Sequence, residues 1–442
     1  MEATATRIVR RLRDAGHEAY FAGGCVRDRL LGRTAHDIDV ATSAHPGEVQ
    51  KLFARTVAVG AQFGVIVVLE DGVEFQVATF RADGLYIDGR RPESVTFTTA
   101  EGDAQRRDFT INGLFYDPIN GHVLDFVGGE ADLKAGIIRC IGEPADRFRE
   151  DKLRLLRGVR FAATLGFEID STTWAALREM VSSIHAVSAE RIRDELVKIF
   201  VHASRVRGFD LLDDSGLLQV LLPEVTKLKG CAQPPEFHPE GDVFVHTRLM
   251  LSLLPETVSI PLVFSVLLHD IGKPASYQVD ATGRIRFNGH ESLSAVMTEG
   301  IFERLRFSNA QAEATVVAVK NHMAFKDVQH MRIATLKRFL ARPTINDELE
   351  LHRVDCLGSH GLLDNYDFLL AKREEFSREP LIPPPLVSGR DLILLGWSPG
   401  PLFTRALEAV QIRQLEGSLS SREEAVAWLA SQRDMVEGGE IP

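Results

Sequence analysis

Two glycines and two aspartates near the start of the chain carry residue types that hold phosphate and metal. Gly23-Gly24-Cys25-Val26-Arg27-Asp28 precedes His36-Asp37-Ile38-Asp39-Val40 by eight residues. Paired glycines let backbone approach an anion, amides at a following helix start can hold phosphate, and Arg27 adds positive charge. Asp37 and Asp39, two apart in an expected strand, point to one face while Ile38 points to the core. Such a pair can share divalent ions; two Mg²⁺ ions about 3.5 to 4 Å apart would activate a hydroxyl and neutralise leaving pyrophosphate. Alone, an Asp-x-Asp is more often a solvated loop or cap, and Gly-Gly lacks the pattern of a dinucleotide fingerprint.

Two further blocks add polar chemistry. Arg106-Arg107-Asp108-Phe109-Thr110-Ile111-Asn112 comes first, and Arg149-Glu150-Asp151-Lys152-Leu153-Arg154 follows. Asp151, Arg154 and Arg157 recur every three residues, which predicts a polar stripe on one helix, extended by Arg160. Aspartate accepts and arginine donates, so the stripe could read the edge of a base; a salt-bridged solvent face is the alternative. Residues 147–160 hold six basic side chains against two acidic ones, a local excess suited to triphosphate or RNA.

A second constellation lies in the other half. Residues 262–268 are apolar and run into His269-Asp270-Ile271-Gly272-Lys273, with His246 upstream and His290, His322 and Asp355 downstream. Imidazole and carboxylate suit Zn, Mn, Fe or Ni, and a metal held there could activate water. A lone buried histidine is usually a satisfied core residue; the adjacent pair with flanking His and Asp is what singles this segment out.

These residues need a scaffold. Short apolar runs broken by Gly, Asp and Asn predict a sheet within residues 20–140. From Asp146 to Leu222 apolar residues recur at helical spacing, as in Leu153, Leu156, Val159 and Phe161. A proline-marked loop near 234–239 precedes the histidine segment, and Pro380 and Pro383 to Pro385 form a stiff connector. Ser420-Ser421-Arg422-Glu423 predicts a capping box opening a last helix that ends near Arg433. The expected divisions are 1–140, 141–235, 236–375 and 386–442.

In their order and spacing the motifs resemble the nucleotidyltransferase superfamily that includes DNA polymerase β, and within it the class II CCA tRNA nucleotidyltransferases and poly(A) polymerases. The resemblance runs through residues 20–200. It implies an α/β head with a DNA polymerase β-like sheet, followed by a mostly α-helical neck, body and HD/tail region. It makes Asp37 and Asp39 the catalytic Mg²⁺ ligands and puts Gly24 and Arg27 on the triphosphate. Arg107, Asp108 and Asn112 fall in the ribose-handling motif, and Asp151 and Arg154 match the template that selects CTP and then ATP, with Arg157 and Arg160 beside it. Ser188-Ala189-Glu190-Arg191-Ile192 resembles the neck helix supporting that template.

The family's flexible loop matches residues 80–92, and its full length favours complete CCA addition over CC addition. A-adding enzymes and poly(A) polymerases share the core motifs and stay open. Relatives often carry an acidic residue where Gln76 stands, with Glu74 on the same face. The second constellation resembles an HD-superfamily phosphohydrolase domain, implying His246, His269, Asp270 and Asp355 as ligands of a transition metal, with His290 and His322 toward a second ion. A metal-dependent phosphohydrolase is therefore the alternative of a different class. The expected partners are tRNA, CTP and ATP.

Composition sets the outer bounds. The 442 residues are 45% hydrophobic and 26% charged, which excludes collagen-like, low-complexity and extensively disordered classes. The longest apolar runs fall far short of the ~20 residues of a membrane span. Residues 1–14 read as an amphipathic helix without a signal peptide's apolar core, and four widely spaced cysteines suggest reduced thiols, so a cytoplasmic protein is expected. The formal charge of −11 sets only the average field, which a local basic face overrides.

Overall fold

The computed structural model describes residues 1–35, 37–58, 63–84, 94–234, 236 and 238–432. The loop expected at 80–92 falls largely outside the described residues, as do His36 and the last helix's expected end at Arg433. The chain divides into two compact units: Met1–Lys227 with Pro255–Val258 and Gly300–Ser308, and Leu228–Leu254 with Ser259–Glu299 and Asn309–Pro442.

The first unit opens with α1 (Glu2–Asp14), whose Ile8, Val9 and Leu12 are buried along one face. Then come β1 (Ala19–Ala22), α2 (Gly24–Leu30), β2 (Asp39–Thr42), α3 (Pro46–Leu52), β3 (Thr56–Val57), β4 (Val65–Glu70) and β5 (Val73–Thr79). A small ribbon of β6 (Arg81–Asp83) and β7 (Val95–Phe97), the helix α4 (Ala100–Gln105), β8 (Phe115–Asp117), β9 (His122–Leu124) and α5 (Gly129–Ala135) complete the sheet region. The seven-stranded mixed sheet has the order β3-β4-β5-β2-β1-β8-β9, with β2 parallel to β5 and antiparallel to β1.

Period-two alternation explains why β2 and β5 sit at its centre. Phe75 and Val77 are buried while Glu74 and Gln76, which alternate with them, are exposed, and Ile38 and Val40 are buried while Asp37 and Asp39 are not. Phe80, Phe115, Ala22, Ala41, Ala100 and Ala104 form a core cluster in this region, so alanines on β1, β2 and α4 pack against two phenylalanines.

Helices follow: α6 (Pro144–Glu150), α7 (Arg154–Leu165), α8 (Ser171–Glu179), α9 (Ala189–Val201), α10 (Arg205–Ser215), α11 (Leu217–Leu221) and α12 (Pro223–Thr226), with two-residue strands β10 (Ile137–Ile138) and β11 (Glu168–Ile169) pairing in parallel. One expectation is corrected here. Asp151 does not share a helix with Arg154: it ends α6 in extended conformation, φ −139° and ψ 104°, and α7 starts three residues later. Its carboxylate accepts the amide of Leu153 at 3.1 Å, a side chain to backbone bond that competes with helix continuation.

The second unit contains α13 (Val243–Leu253), α14 (Ile260–Leu268), α15 (Lys273–Ser276), the ribbon β12 (Gln278–Val279) and β13 (Ile285–Arg286), and the start of α16 (His290–Arg304). It continues through α17 (Asn309–Asn321), a 3₁₀ stretch (His322–His330), α18 (Ile333–Leu340), α19 (Ile345–Gly358) and α20 (Asp364–Glu375). The last helices are α21 (Gly389–Leu394), α22 (Pro401–Leu415) and α23 (Arg422–Ser431). The cap of α23 is Ser421 with Glu424, one residue beyond the acid expected from sequence, and the helix ends at Ser431. Among the described residues no helix is long and apolar enough to cross a membrane.

Candidate active sites

In the first unit one cavity of about 510 Å³ gathers every residue singled out in the glycine, Asp-x-Asp and Asp/Arg motifs. Gly23, Gly24 and Arg27 line it from the start of α2, and Asp37 and Asp39 from β2 and its approach. Arg107, Asp108 and Asn112 contribute from the segment after α4, and Asp151, Arg154, Arg157 and Arg160 from the α6 to α7 region. Gly23 has φ +76°, and a Cβ there would lie 2.9 Å from Nη1 of Arg107, so glycine leaves room for that guanidinium.

Each arginine is fixed by a carboxylate. Arg27 pairs with Asp28 and donates to Oδ1 of Asn112 at 2.8 Å. Arg107 pairs with Asp103 at 2.8 Å, and Arg160 Nε donates to Glu195 at 2.5 Å; Asp103 and Glu195 are both buried. Arg157 Nε donates to Asp108 at 2.7 Å, and Asn112 Nδ2 donates to the other oxygen of that carboxylate at 3.1 Å. Arg154 reaches Glu150 at 2.7 Å and the carbonyl of Arg106 at 3.0 Å. Bidentate contact with Arg191, at 3.2 and 2.7 Å, holds Asp151. Guanidinium forks held in this way are aimed before a ligand arrives, which lowers the entropy cost of binding an anion.

Spacing alone missed several supports. Phe161 lies under Arg160, Arg27 and Arg157, with guanidinium carbons 4.0, 5.1 and 5.2 Å from the ring centroid. In sequence it reads as one more apolar helix position. Asp103 had a readable signal, lying three and four residues before Arg106 and Arg107 on a helical stretch. Glu195 had none, since its partner is 35 positions away. Glu74 and Gln76 are on the exposed face of β5, and neither lines the cavity.

Electrostatics separate the carboxylates. Burial raises Asp39, Arg107 opposes this, and the negative charge of Asp37 adds to it. An oxygen pair that repels itself in a cavity rich in arginines suits a hard cation such as Mg²⁺, whose remaining ligands would be water and phosphate. Asp108 behaves oppositely: burial pushes its carboxyl up, but Arg157 and Arg154 with hydrogen bonds from Asn112 and Arg157 hold it at about 2. Below its ordinary value near 3.9, that ionised form stabilises the fold above about pH 4 and loses its contribution as pH falls toward 2. Asp108→Asn is expected to cost about 2 kcal/mol at neutral pH, a deficit that shrinks between pH 4 and 2. Urea unfolding across that range checks it; a deficit independent of pH would contradict the ion-pair origin.

The second unit holds a different centre. His246 on α13, His269 and Asp270 after α14, His290 at the start of α16, and His322 after α17 are all buried. Asp270 joins them: its Oδ2 lies 3.1 Å from Nε2 of His269, and its Oδ1 lies 3.4 Å and 3.8 Å from Nε2 of His290 and His322. Nε2 of His246 lies 3.1 Å from Oδ1 of Asp355. His246, His269 and Asp270 form one group able to hold an ion, and Asp270, His290 and His322 form another. The sequence expectation of a four-residue set with two weaker histidines thus becomes two groups sharing Asp270, beside a third of His238, Glu240 and His246.

The donor set fits metal. Nδ1 of His269, His290 and His322 lies 2.9, 2.7 and 2.6 Å from the carbonyls of Val266, Phe287 and Val319, which assigns the proton to Nδ1 and leaves Nε2 as a lone pair. Nε2 of His290 and of His322 then face each other at 3.1 Å, a contact that a bound cation or a proton on one of the two rings satisfies. His269 Nε2 and Oδ1 of Asp270 are buried with no hydrogen-bond partner, while Oδ2 of Asp270 faces the Lys273 ammonium. Burial pushes His246 down, but hydrogen bonds to Asp355 and Glu240 lift it to about 9. Sequence reading missed Glu240, which accepts from Nδ1 of both His246 and His238 at 2.7 and 2.9 Å. Lys273 pairs with Asp270 at 2.7 Å and donates to Gln233 at the same distance.

Residues 19–139 match the family model described as Poly A polymerase head domain, residues 166–229 that described as Probable RNA and SrmB- binding site of polymerase A, and residues 244–357 that of the HD domain. A CCA-adding enzyme of Latilactobacillus sakei is 40% identical over 259 residues, 57% of this chain and 65% of that protein. The chain spans less than two-thirds of the length of the curated relatives it matches, 54% for a CCA-adding enzyme of Streptococcus gordonii at 43% identity over 49% of this chain. Among solved structures, the Bacillus stearothermophilus CCA-adding enzyme in complex with CTP superposes with a TM-score of 0.75 at 25% identity, covering 99% of each chain. With the arginine-lined Asp37/Asp39 cavity in one unit and the histidine centre in the other, these matches give the chain a head domain of the poly(A) polymerase type over residues 19–139 and an HD domain over residues 244–357, and make it similar to curated CCA-adding enzymes over about half its length.

Proposed function

We propose that the protein adds CMP, CMP and AMP to the 3′ ends of tRNA from CTP and ATP, without a nucleic-acid template. The observation that carries this reading is the convergence of two metal-capable carboxylates, five arginines and an Asp/Arg pair on one cavity of nucleotide size. Asp37 and Asp39 would hold Mg²⁺, which would supply charge neutralisation at the attacking oxygen and at the leaving pyrophosphate. The 3′-oxygen of tRNA bonds to the α-phosphorus, the bond from that phosphorus to the β-phosphate's bridging oxygen breaks to release pyrophosphate, and the hydroxyl proton passes to water.

Within this reading Gly24 and Arg27 bind triphosphate, while Arg107, Asp108 and Asn112 handle the ribose. Asp151 and Arg154 select the base, with Arg157 and Arg160 closing the basic wall. Arg154 must exchange its bonds to Glu150 and the Arg106 carbonyl for the base edge. The functional division we adopt is a head to residue 140, a neck and body at 141–235, an HD region at 236–375 and a tail from 386. Its substrates place the reaction in the cytoplasm.

Three tRNA transcripts, ending at the discriminator base, at CC and at CCA, test the reading when given Mg²⁺ with CTP and ATP separately and together. Addition of all three nucleotides with arrest at CCA is expected. Growth of only the CC-ended transcript by one A would make this an A-adding enzyme, and continuing A tails a poly(A) polymerase.

The histidine centre favours a second activity. Six candidate ligands, with His269 Nε2 and Asp270 Oδ1 unpartnered, support a metal-dependent phosphohydrolase that uses a transition metal such as Mn or Ni.

A further inference from the structure

Phe161 is buried, yet it lines the first unit's cavity, where among the described residues it is the one apolar side chain. Three guanidiniums from two helices meet its ring. Arg157 stands one helical turn before it on α7, Arg160 is its neighbour, and Arg27 comes from α2, with guanidinium carbons 5.2, 4.0 and 5.1 Å from the ring centroid. Phe109, itself fully buried, meets the same ring at 81° with centroids 5.9 Å apart, so packing sets how the ring is turned.

Gathering like charges has a cost. Burial pushes Arg160 below its ordinary value, and Arg157 adds to that against the pull of Glu195. Each of the three already has a carboxylate partner: Asp108 for Arg157, Glu195 for Arg160 and Asp28 for Arg27. A further carboxylate among them would compete with phosphate for the same N–H groups, whereas a ring face offers negative potential without occupying a donor. Arg154 is held elsewhere, by Glu150 and the carbonyls of Arg147 and Arg106.

We propose that Phe161 is a positioning residue for nucleotide binding: its ring is the shared seat that holds Arg27, Arg157 and Arg160 side by side against their repulsion, so that a triphosphate meets a preassembled set of cations. The assignment rests on the nucleotidyl-transfer reading and adds to it a residue that acts through the arginines. Because the guanidinium that reads the base is anchored elsewhere, the seat governs how tightly a nucleotide is held and not which base is chosen.

The test replaces Phe161 in the full chain by phenylalanines carrying one, two and three ring fluorines, which drain negative potential from the ring face while keeping its shape, and by leucine, which removes the face. CTP, ATP and pyrophosphate are titrated calorimetrically in Mg²⁺, and KM and kcat are measured for CMP addition to a tRNA transcript ending at the discriminator base. Affinity for all three ligands is expected to fall about twofold with each fluorine and about 10-fold in Phe161→Leu, with KM rising in step and the ratio of CTP to ATP affinity unchanged. Affinities flat across the fluorine series overturn the proposal whatever Phe161→Leu does, because a ring that only fills space is indifferent to its own electronics. A shifted CTP to ATP ratio also overturns it and places the ring in base selection. Graded CTP and pyrophosphate binding in a chain that extends no transcript upholds the seat and overturns the nucleotidyl-transfer reading; flat affinities in a chain that completes CCA do the reverse.

Discussion

Replacing Asp39 by alanine is expected to lower single-turnover CMP incorporation by on the order of 10³-fold, about 4 kcal/mol of transition-state stabilisation, while tRNA affinity stays within about twofold. The physical basis is position. Asp39 pairs with Ala22 at the edge of the β1–β2 ladder, with its side chain on the cavity side and Val40 behind it fully buried. Truncating it empties no core volume, so folding should survive. What disappears is one of two carboxylates able to hold Mg²⁺ where charge develops on the attacking and leaving oxygens. Rapid-quench incorporation into a tRNA ending at the discriminator base, with filter binding of the same tRNA, separates chemistry from binding. A rate within tenfold of wild type would remove Asp39 from the catalytic role.

Substitution of Asp270 should act in the other unit alone. Two of the three ion-capable groups among the described residues use this carboxylate, so Asp270→Ala is expected to remove the divalent metal held by them, and ester hydrolysis with it. Incorporation of CMP and AMP should stay within about twofold. The substitution also strips Lys273, itself buried, of its partner, and an unpaired buried charge costs about 3 to 5 kcal/mol. Asp270→Asn keeps the volume and an oxygen near Lys273 but loses the charge, and His269→Ala leaves the Lys273 pair intact. Metal analysis of all three purified variants, with thermal unfolding alongside, distinguishes ligand loss from misfolding. Stoichiometric metal in folded Asp270→Asn and His269→Ala would show that the centre is not assembled around these residues.

Much of the first cavity was legible because its residues come in short motifs whose spacing has local meaning. Asp37 and Asp39 alternate with buried Ile38 and Val40 as a strand edge requires. The Asp151 to Arg157 stripe was legible in composition and misleading in geometry. Its three-residue period is helical, yet the Asp151 side chain takes the Leu153 amide and the helix starts only at Arg154. Helical period reports what a segment could form; a competing side chain to backbone bond decides where the helix begins.

The sequence by itself determined the chemistry: which residues carry charge, which can ligate metal, and which segments are sheet or helix, because alternation, helical period and motif spacing are properties of neighbours along the chain. Only the tertiary structure decided how those groups are held. Glu195 under Arg160, Arg191 on Asp151, Phe161 beneath three guanidiniums, Glu240 on His246 and the opposed nitrogens of His290 and His322 are pairings that folding creates. Glu195 with Arg160, Arg191 with Asp151, Arg27 with Phe161 and His290 with His322 join positions tens of residues apart, and burial sets their strength, since low dielectric magnifies each charge and makes an unmatched one costly.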